Sequence, residues 1–277
     1  MYKTPLKVDL KGKVVAITGG GGVLMSEFGA ALAECGAKVA LIDINEEAVK
    51  KNAVEIGANA FGVKANCLDK KELIAARDAI HAKFGKVNFL INGAGGNSPK
   101  ATTDNETMTP DLTGVKDFFA LDEAGIKFVF DLNIMTAFLV TQVFAEDMVK
   151  TGGNIINISS MNAFSPLTKI PAYSAAKAGL SNFTEWLAVH FAPCGIRVNG
   201  IAPGFFVTKQ NAELLFNPDG TPTPRTGKIL AATPMKRFGE SSELIGTLLW
   251  LASDEASGFV TGVVVPVDGG FNAYSGV

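Results

Sequence analysis

Tyr173 and Lys177 stand four positions apart in the run Y-S-A-A-K. On a helix, that spacing places both side chains on one face. An ammonium beside a phenol favours the phenolate, so it draws the phenol down from its ordinary pKa of about 10. A phenol tuned in this way can give or take a proton near neutral pH. YxxxK is frequent by chance, so the pair needs company. Ser160 supplies some, at the end of the apolar run NIINISS just upstream.

A second cluster suggests a different task. KVVAITG is a β-branched run that opens into TGGGG, Thr18 to Gly22, and a helical pattern follows from about Ser26 to Cys35. Glycines between a strand and a helix let the backbone approach a pyrophosphate, which the helix N-terminus then attracts. The next apolar run, KVALID, ends on Asp43. A carboxylate there can accept hydrogen bonds from the adenosine ribose and repel a 2′-phosphate, which favours NAD over NADP. The same carboxylate could instead cap the helix predicted around Asn45 to Lys51.

These residues need a frame, and the hydropathy pattern provides one. Strands are predicted at Lys13–Gly19, Lys38–Asp43, Asn59–Asn66, Val87–Gly95, Gly153–Ser160, Ile196–Gly204 and Val263–Gly270. Helices alternate with them, including a long one over Ile126–Lys150 and one from Tyr173 to Gly195. Seven short apolar strands alternating with helices predict a single doubly wound Rossmann-type α/β domain over residues 1–277, with a mostly parallel sheet flanked by helices. Two segments break the rhythm, 97–125 and 208–238. Both follow the carboxyl ends of strands, where ligands bind in such sheets, and segments of this kind serve either as lids or as surface decoration.

Bulk properties narrow the class further. Hydrophobic residues make up 47% of the 277 and charged ones 19%, which is enough apolar material for a folded core. The net charge of −2, with no basic stripe, speaks against nucleic acid as a partner. Cys35, Cys67 and Cys194 lack paired spacing and are expected to be reduced thiols of a cytoplasmic protein. The N-terminal stretch does not read as a signal peptide. No window holds the roughly 18 to 20 uninterrupted apolar residues of a membrane span. His81 and His190 stand singly, so no metal site is expected.

Taken in order, the glycine cluster, INGAG (Ile91 to Gly95), Asn133 in DLNIM, Ser160, YSAAK and APGFFVT resemble the short-chain dehydrogenase/reductase family from Leu10 to about Phe271. The resemblance implies an NAD-dependent alcohol–ketone oxidoreductase with Asn133, Ser160, Tyr173 and Lys177 as its catalytic set. Ser160 would hold the substrate oxygen and Tyr173 would be the general acid/base. Lys177 would bind the nicotinamide ribose and tune Tyr173, and Asn133 would fix a water beside Lys177. The cofactor would further meet Gly19, Gly22, Val23, Leu24, Asp43, Ile44, Asn66, Cys67, Asn92, Gly93, Ala94, Pro203, Gly204, Phe206 and Thr208. One departure stands out. The family loop T-G-x-x-x-G-x-G has Val23 and Met25 here at its second and third glycines, a change that should alter how the first helix packs. The resemblance extends to members acting on sugar acids. It implies D-fructuronate and D-mannonate as the substrate pair, or a gluconate-type sugar acid in their place. Asn97, Lys100, Ser160, Asn162, Lys169 and Lys209 are the candidate substrate contacts, and a homotetramer is the expected assembly. The alternatives from other classes are a nucleotide sensor without turnover, and an epimerase or dehydratase on the same cofactor.

Overall fold

The computed structural model describes residues 7–207 and 212–276. Seven strands form its sheet: β1 (Val14–Thr18), β2 (Lys38–Asp43), β3 (Ala60–Lys64), β4 (Phe89–Asn92), β5 (Gly153–Ile158), β6 (Ile196–Pro203) and β7 (Val264–Val267). Between them run α1 (Val23–Glu34), α2 (Glu46–Ile56), α3 (Lys70–Phe84), α4 (Glu123–Phe130), α5 (Thr136–Phe144) and α6 (Pro171–Phe191). After β6 come α7 (Ala212–Leu215), α8 (Pro224–Ala232), α9 (Ile245–Ala252) and α10 (Asp254–Ser257). The strand order is β3-β2-β1-β4-β5-β6-β7. Every pairing is parallel, so the expected mostly parallel sheet is wholly so.

Burial explains why these runs become strands. β1 is VVAIT with all five residues buried, and β6 is buried along nearly its whole length. A parallel strand is covered by helices on both faces, so it needs apolar or small residues at consecutive positions. One face packs Leu73, Ile80, Val140, Phe144, Leu180 and Leu187 into a core. The other packs Phe28, Leu32, Val49, Leu244, Leu248 and Leu251. Each such side chain contributes about 1.5–3 kcal/mol on full burial.

Between β1 and β4 the chain reverses the direction in which it adds strands, having laid down β2 and β3 on one side of β1. Loops from the two halves diverge at that switch point, and their carboxyl ends open a crevice there. The two segments that break the strand–helix rhythm rise beside it. Segment 97–125 folds on itself through short turns at Pro99–Ala101 and Phe118–Ala120, with Asp104 N donating to Lys116 O. Segment 208–238 carries α7 and α8. Glu106 of the first pairs with Lys228 of the second at 2.6 Å.

The long helix differs from its predicted form. It starts earlier, at Glu123, where Asp122 accepts a hydrogen bond from Gly125 N. It then widens to a π-helical turn over Asp131–Met135 before α5. The run Glu123–Asp147 is long and apolar enough to cross a membrane, yet half of its most apolar window is buried within the protein. Likewise α1 begins at Val23 rather than Ser26, because the glycine run ends in a helix N-terminus with Gly22 as its N-cap.

Candidate active site

A cleft of about 890 Å3 runs along the carboxyl ends of the central strands. Its floor at one end is the glycine turn. Gly19 has φ of +74°, and a Cβ there would meet Gly93 O at 2.9 Å. Gly20 lies so close to β2 that a Cβ would sit 2.7 Å from that of Leu41. No side chain caps α1, and no acidic residue stands in its first turn. The N–H groups of that turn therefore face the cleft beside Gly22, Val23 and Leu24 with a favourable dipole for an anion.

Asp43 closes the far side of this turn. Its Oδ2 accepts from Gly21 N at 3.1 Å and its Oδ1 from Asn45 N at 3.0 Å. It does not cap α2, because Asn45 does so through Ala48 N. Ile44, 65% exposed, and Leu68 border the mouth, and Asn66 and Cys67 line the wall between them. Two apolar side chains left at the rim of a cleft suit a flat ring between them. Burial raises the Cys67 thiol to about 12, so it is an unreactive wall residue.

Met25 resolves the departure in the phosphate loop. It is buried, and a Cβ on Gly93 would overlap its sulfur. The helix therefore packs against a glycine on β4's end instead of offering a glycine of its own. Gly93 N and Ala94 N are both held by Thr18 Oγ1, at 3.1 and 3.2 Å, which ties β1's end to the β4 loop.

At the other end of the cleft Ser160, Tyr173 and Lys177 come together. β5 delivers Ser160, which caps a short turn by accepting from Asn162 N. Tyr173 and Lys177 share one face of α6, as their spacing requires. Lys177 Nζ donates to Ile158 O at 2.7 Å and lies 5.7 Å from the Tyr173 ring centre. Burial draws Lys177 down to about 8. It pushes Tyr173 up, against a smaller opposing effect of the hydrogen bond with Ser160. The expected lowering of Tyr173 by Lys177 is not present in this geometry, because the ammonium is held by a carbonyl and desolvation dominates.

Asn133 lies fully buried behind them on the π turn. Its Nδ2 donates to Gly96 O and Val129 O, both at 2.7 Å, and its Oδ1 accepts from Gly96 N at 3.2 Å. Gly95 explains the fit: a Cβ there would stand 2.7 Å from Asn133 Oδ1 and 3.0 Å from Lys177 Nζ. Gly96 and Leu132 also line the cleft, as do Gly95 and Phe205, which lie inside the INGAG and APGFFVT motifs but have no role assigned from the sequence; the glycine pair after β4 is the readable signal for this wall.

The remaining predicted residues separate. Gly19, Gly22, Val23, Leu24, Asp43, Ile44, Asn66, Cys67, Gly93, Ala94, Pro203, Gly204 and Phe206 all line the cleft. Asn92 does not. It turns into the core, donating to Thr141 Oγ1 and Asn157 Oδ1. Successive strand residues face opposite sides, and Asn92 faces inward. Asn97 is tied to Thr102 Oγ1, and neither it nor Lys100 lines the cleft. Asn162 is buried beside Ser160, while Lys169 lines a neighbouring cavity. Thr208 and Lys209 lie outside the described residues. Among the described residues, no cluster of His, Cys, Asp or Glu could hold a metal.

A family model described as enoyl-(acyl carrier protein) reductase matches residues 26–272. The chain belongs to the short-chain dehydrogenase/reductase family. Similar members include uncharacterized oxidoreductases of Haemophilus influenzae, 57% identical over 97% of this chain and 96% of that one, and of Bacillus subtilis, 54% identical over 99% of each. At 32% identity the names of short-chain dehydrogenase/reductase relatives diverge. One is a 7alpha-hydroxysteroid dehydrogenase of Escherichia coli, with 94% of each chain covered. Another is a 2-dehydro-3-deoxy-D-gluconate 5-dehydrogenase of Dickeya dadantii, with 96% of this chain and 97% of that one covered. Among solved structures, a candidate D-mannonate oxidoreductase of Haemophilus influenzae with bound NAD superposes with a TM-score of 0.95, at 55% identity and 99% coverage of both chains.

Proposed function

We propose that this oxidoreductase uses NAD(H) to interconvert a keto sugar acid and its hydroxy acid, D-fructuronate and D-mannonate first among them, with Tyr173 as general acid/base. The observation that carries the reading is the meeting of Ser160, Tyr173 and Lys177 at one end of a cleft whose other end is shaped for a dinucleotide. The fit at that end is physical: glycine positions that a Cβ would fill, an uncapped helix start, and Asp43 where a ribose would lie. The NAD bound in the Haemophilus structure supports it, and so do the sugar-acid names of that protein and the Dickeya relative.

NAD, when bound, supplies or accepts the hydride. The chain's own residues manage the oxygen. Ser160 holds it by a hydrogen bond, and Tyr173 gives it a proton in reduction or removes one in oxidation. Lys177, anchored on Ile158 O, holds the ribose and supports the charge that develops on the phenol. Asn133 keeps the Gly96 backbone against this cluster.

The working form in this reading is a cytoplasmic homotetramer. α5 and α6 carry a partly exposed row of stacked rings, Phe138, Phe183, Trp186 and His190, which an adjoining subunit would cover. The three cysteines are free, as a reducing compartment allows.

The test is loss of NADH absorbance with D-fructuronate, beside 5-keto-D-gluconate and neutral ketones. Turnover of D-fructuronate above the rest supports the assignment, whereas preference for another keto acid keeps the mechanism and removes mannonate. Silence across the panel with NADH still bound would point to a sensor.

A further inference from the structure

Beside the cofactor cleft lies a second cavity of about 400 Å3. Phe205 belongs to both walls, so the two spaces meet just past β6. Ile170 forms part of the cavity and leads directly into α6, one turn before Tyr173. The cavity is therefore next to the reacting end, not the adenosine end.

Its wall is mostly apolar but carries Lys169, Arg225 and Lys228 against a single carboxylate, Glu106. Glu106 is already committed. Lys228 donates to its Oε1 at 2.6 Å, and that hydrogen bond holds the carboxyl below its ordinary range. Lys169 acts on Glu106 only at a distance. Arg225, in the first turn of α8, has no ion-pair or hydrogen-bond partner among the described residues. Cancelling the Glu106–Lys228 pair leaves two cations facing a small space edged by Leu167, Ile170 and Phe205. A guanidinium presents a planar fork that matches a carboxylate in two parallel hydrogen bonds, and an apolar edge strengthens such a pair.

We propose that Arg225 is the residue that grips the substrate's carboxylate, with Lys169 as a second cation, while Tyr173 works on the carbonyl. This rests on the sugar-acid reading above and adds the group that distinguishes an acid from the neutral sugar. It also moves acid recognition off the strand ends and onto α8, in a segment that contributes nothing to the catalytic set.

The experiment compares kcat and KM of wild type, Arg225→Gln and Arg225→Lys, using D-fructuronate and D-fructose, the ketose with a hydroxymethyl in place of the carboxylate. In Arg225→Gln, KM for the acid should rise roughly 10- to 100-fold, as expected for a lost charge-assisted hydrogen bond, with kcat moving far less. KM for the ketose should not rise in parallel, and Arg225→Lys should recover part of the loss. An unchanged KM for the acid, or an equal loss with both substrates, overturns the role of Arg225. A wild type that favours the neutral ketose over the acid overturns the sugar-acid reading itself, whatever the variants do.

Discussion

At the scale of single residues, the roles proposed for Tyr173, Asp43 and Lys177 each make a distinct expectation. Tyr173→Phe removes the proton donor but keeps the ring, so turnover should fall by at least about 100-fold, the usual value of general acid/base help, while NADH still binds. Fluorescence titration beside steady-state rates would show whether both halves hold. Asp43→Ala removes the charge that would face a 2′-phosphate, so the ratio of NADP to NAD turnover should rise, and an unchanged ratio would remove Asp43 from cofactor choice. Lys177 sets a pH signature. Burial brings it from 10.5 to about 8, so between those values the unfolded chain binds a proton that the folded chain does not. Stability should therefore rise with pH through that window. The rate of reduction should fall over the same window, as the ammonium beside Tyr173 loses its charge. Opposite slopes in a thermal melt and a rate profile, both lost in Lys177→Met, would identify the group.

At the scale of elements, local pattern explains what could be read and what could not. β2 was predicted at Lys38–Asp43 and lies there, because an apolar run bounded by glycine and an Asp has little freedom to be anything else. The π turn at Asp131–Met135 left no mark on the hydropathy pattern, since one widened turn scarcely shifts a helical period. It matters because it seats Asn133, whose amide satisfies both polar groups of Gly96. Asn133→Ala should cost roughly 1–3 kcal/mol for each buried group it orphans, seen as a lower Tm, and kcat should fall with it. Asn92 was misplaced for a related reason. A conspicuous motif names the residues near a site, but the alternation of a strand decides which of them face it. Arg225 had no local signal at all: it is an exposed cation on a short helix, and only the fold sets it in one cavity wall with Ile170 and Phe205.

At the scale of the whole molecule, the sheet was legible because seven buried strands leave few architectures open, and the switch point between β1 and β4 then locates the cleft. How the two loop segments meet beside it was not legible. The Glu106–Lys228 contact joins residues far apart in the chain, and no sequence periodicity reports such a pairing. Assembly is likewise a property of surfaces. Trp186, 56% exposed in its row of rings, is where a carboxylate should do most damage. Trp186→Glu is expected to yield smaller particles by light scattering with the helical signal of circular dichroism preserved, and an unchanged mass would exclude this face from the interface.

The contact of Met25 with Gly93 bears on the order in which such a loop can change. A Cβ on Gly93 would meet the Met25 sulfur, but it would also stand 2.7 Å from the carbonyl oxygen of Thr18. Removing the methionine would thus not free position 93, since the backbone of β1 forbids a side chain there regardless. The dependence runs one way: the methionine needs the glycine, and the glycine does not need the methionine. Any history that leads to this sequence must have had the vacancy at 93 before a bulky residue settled at 25.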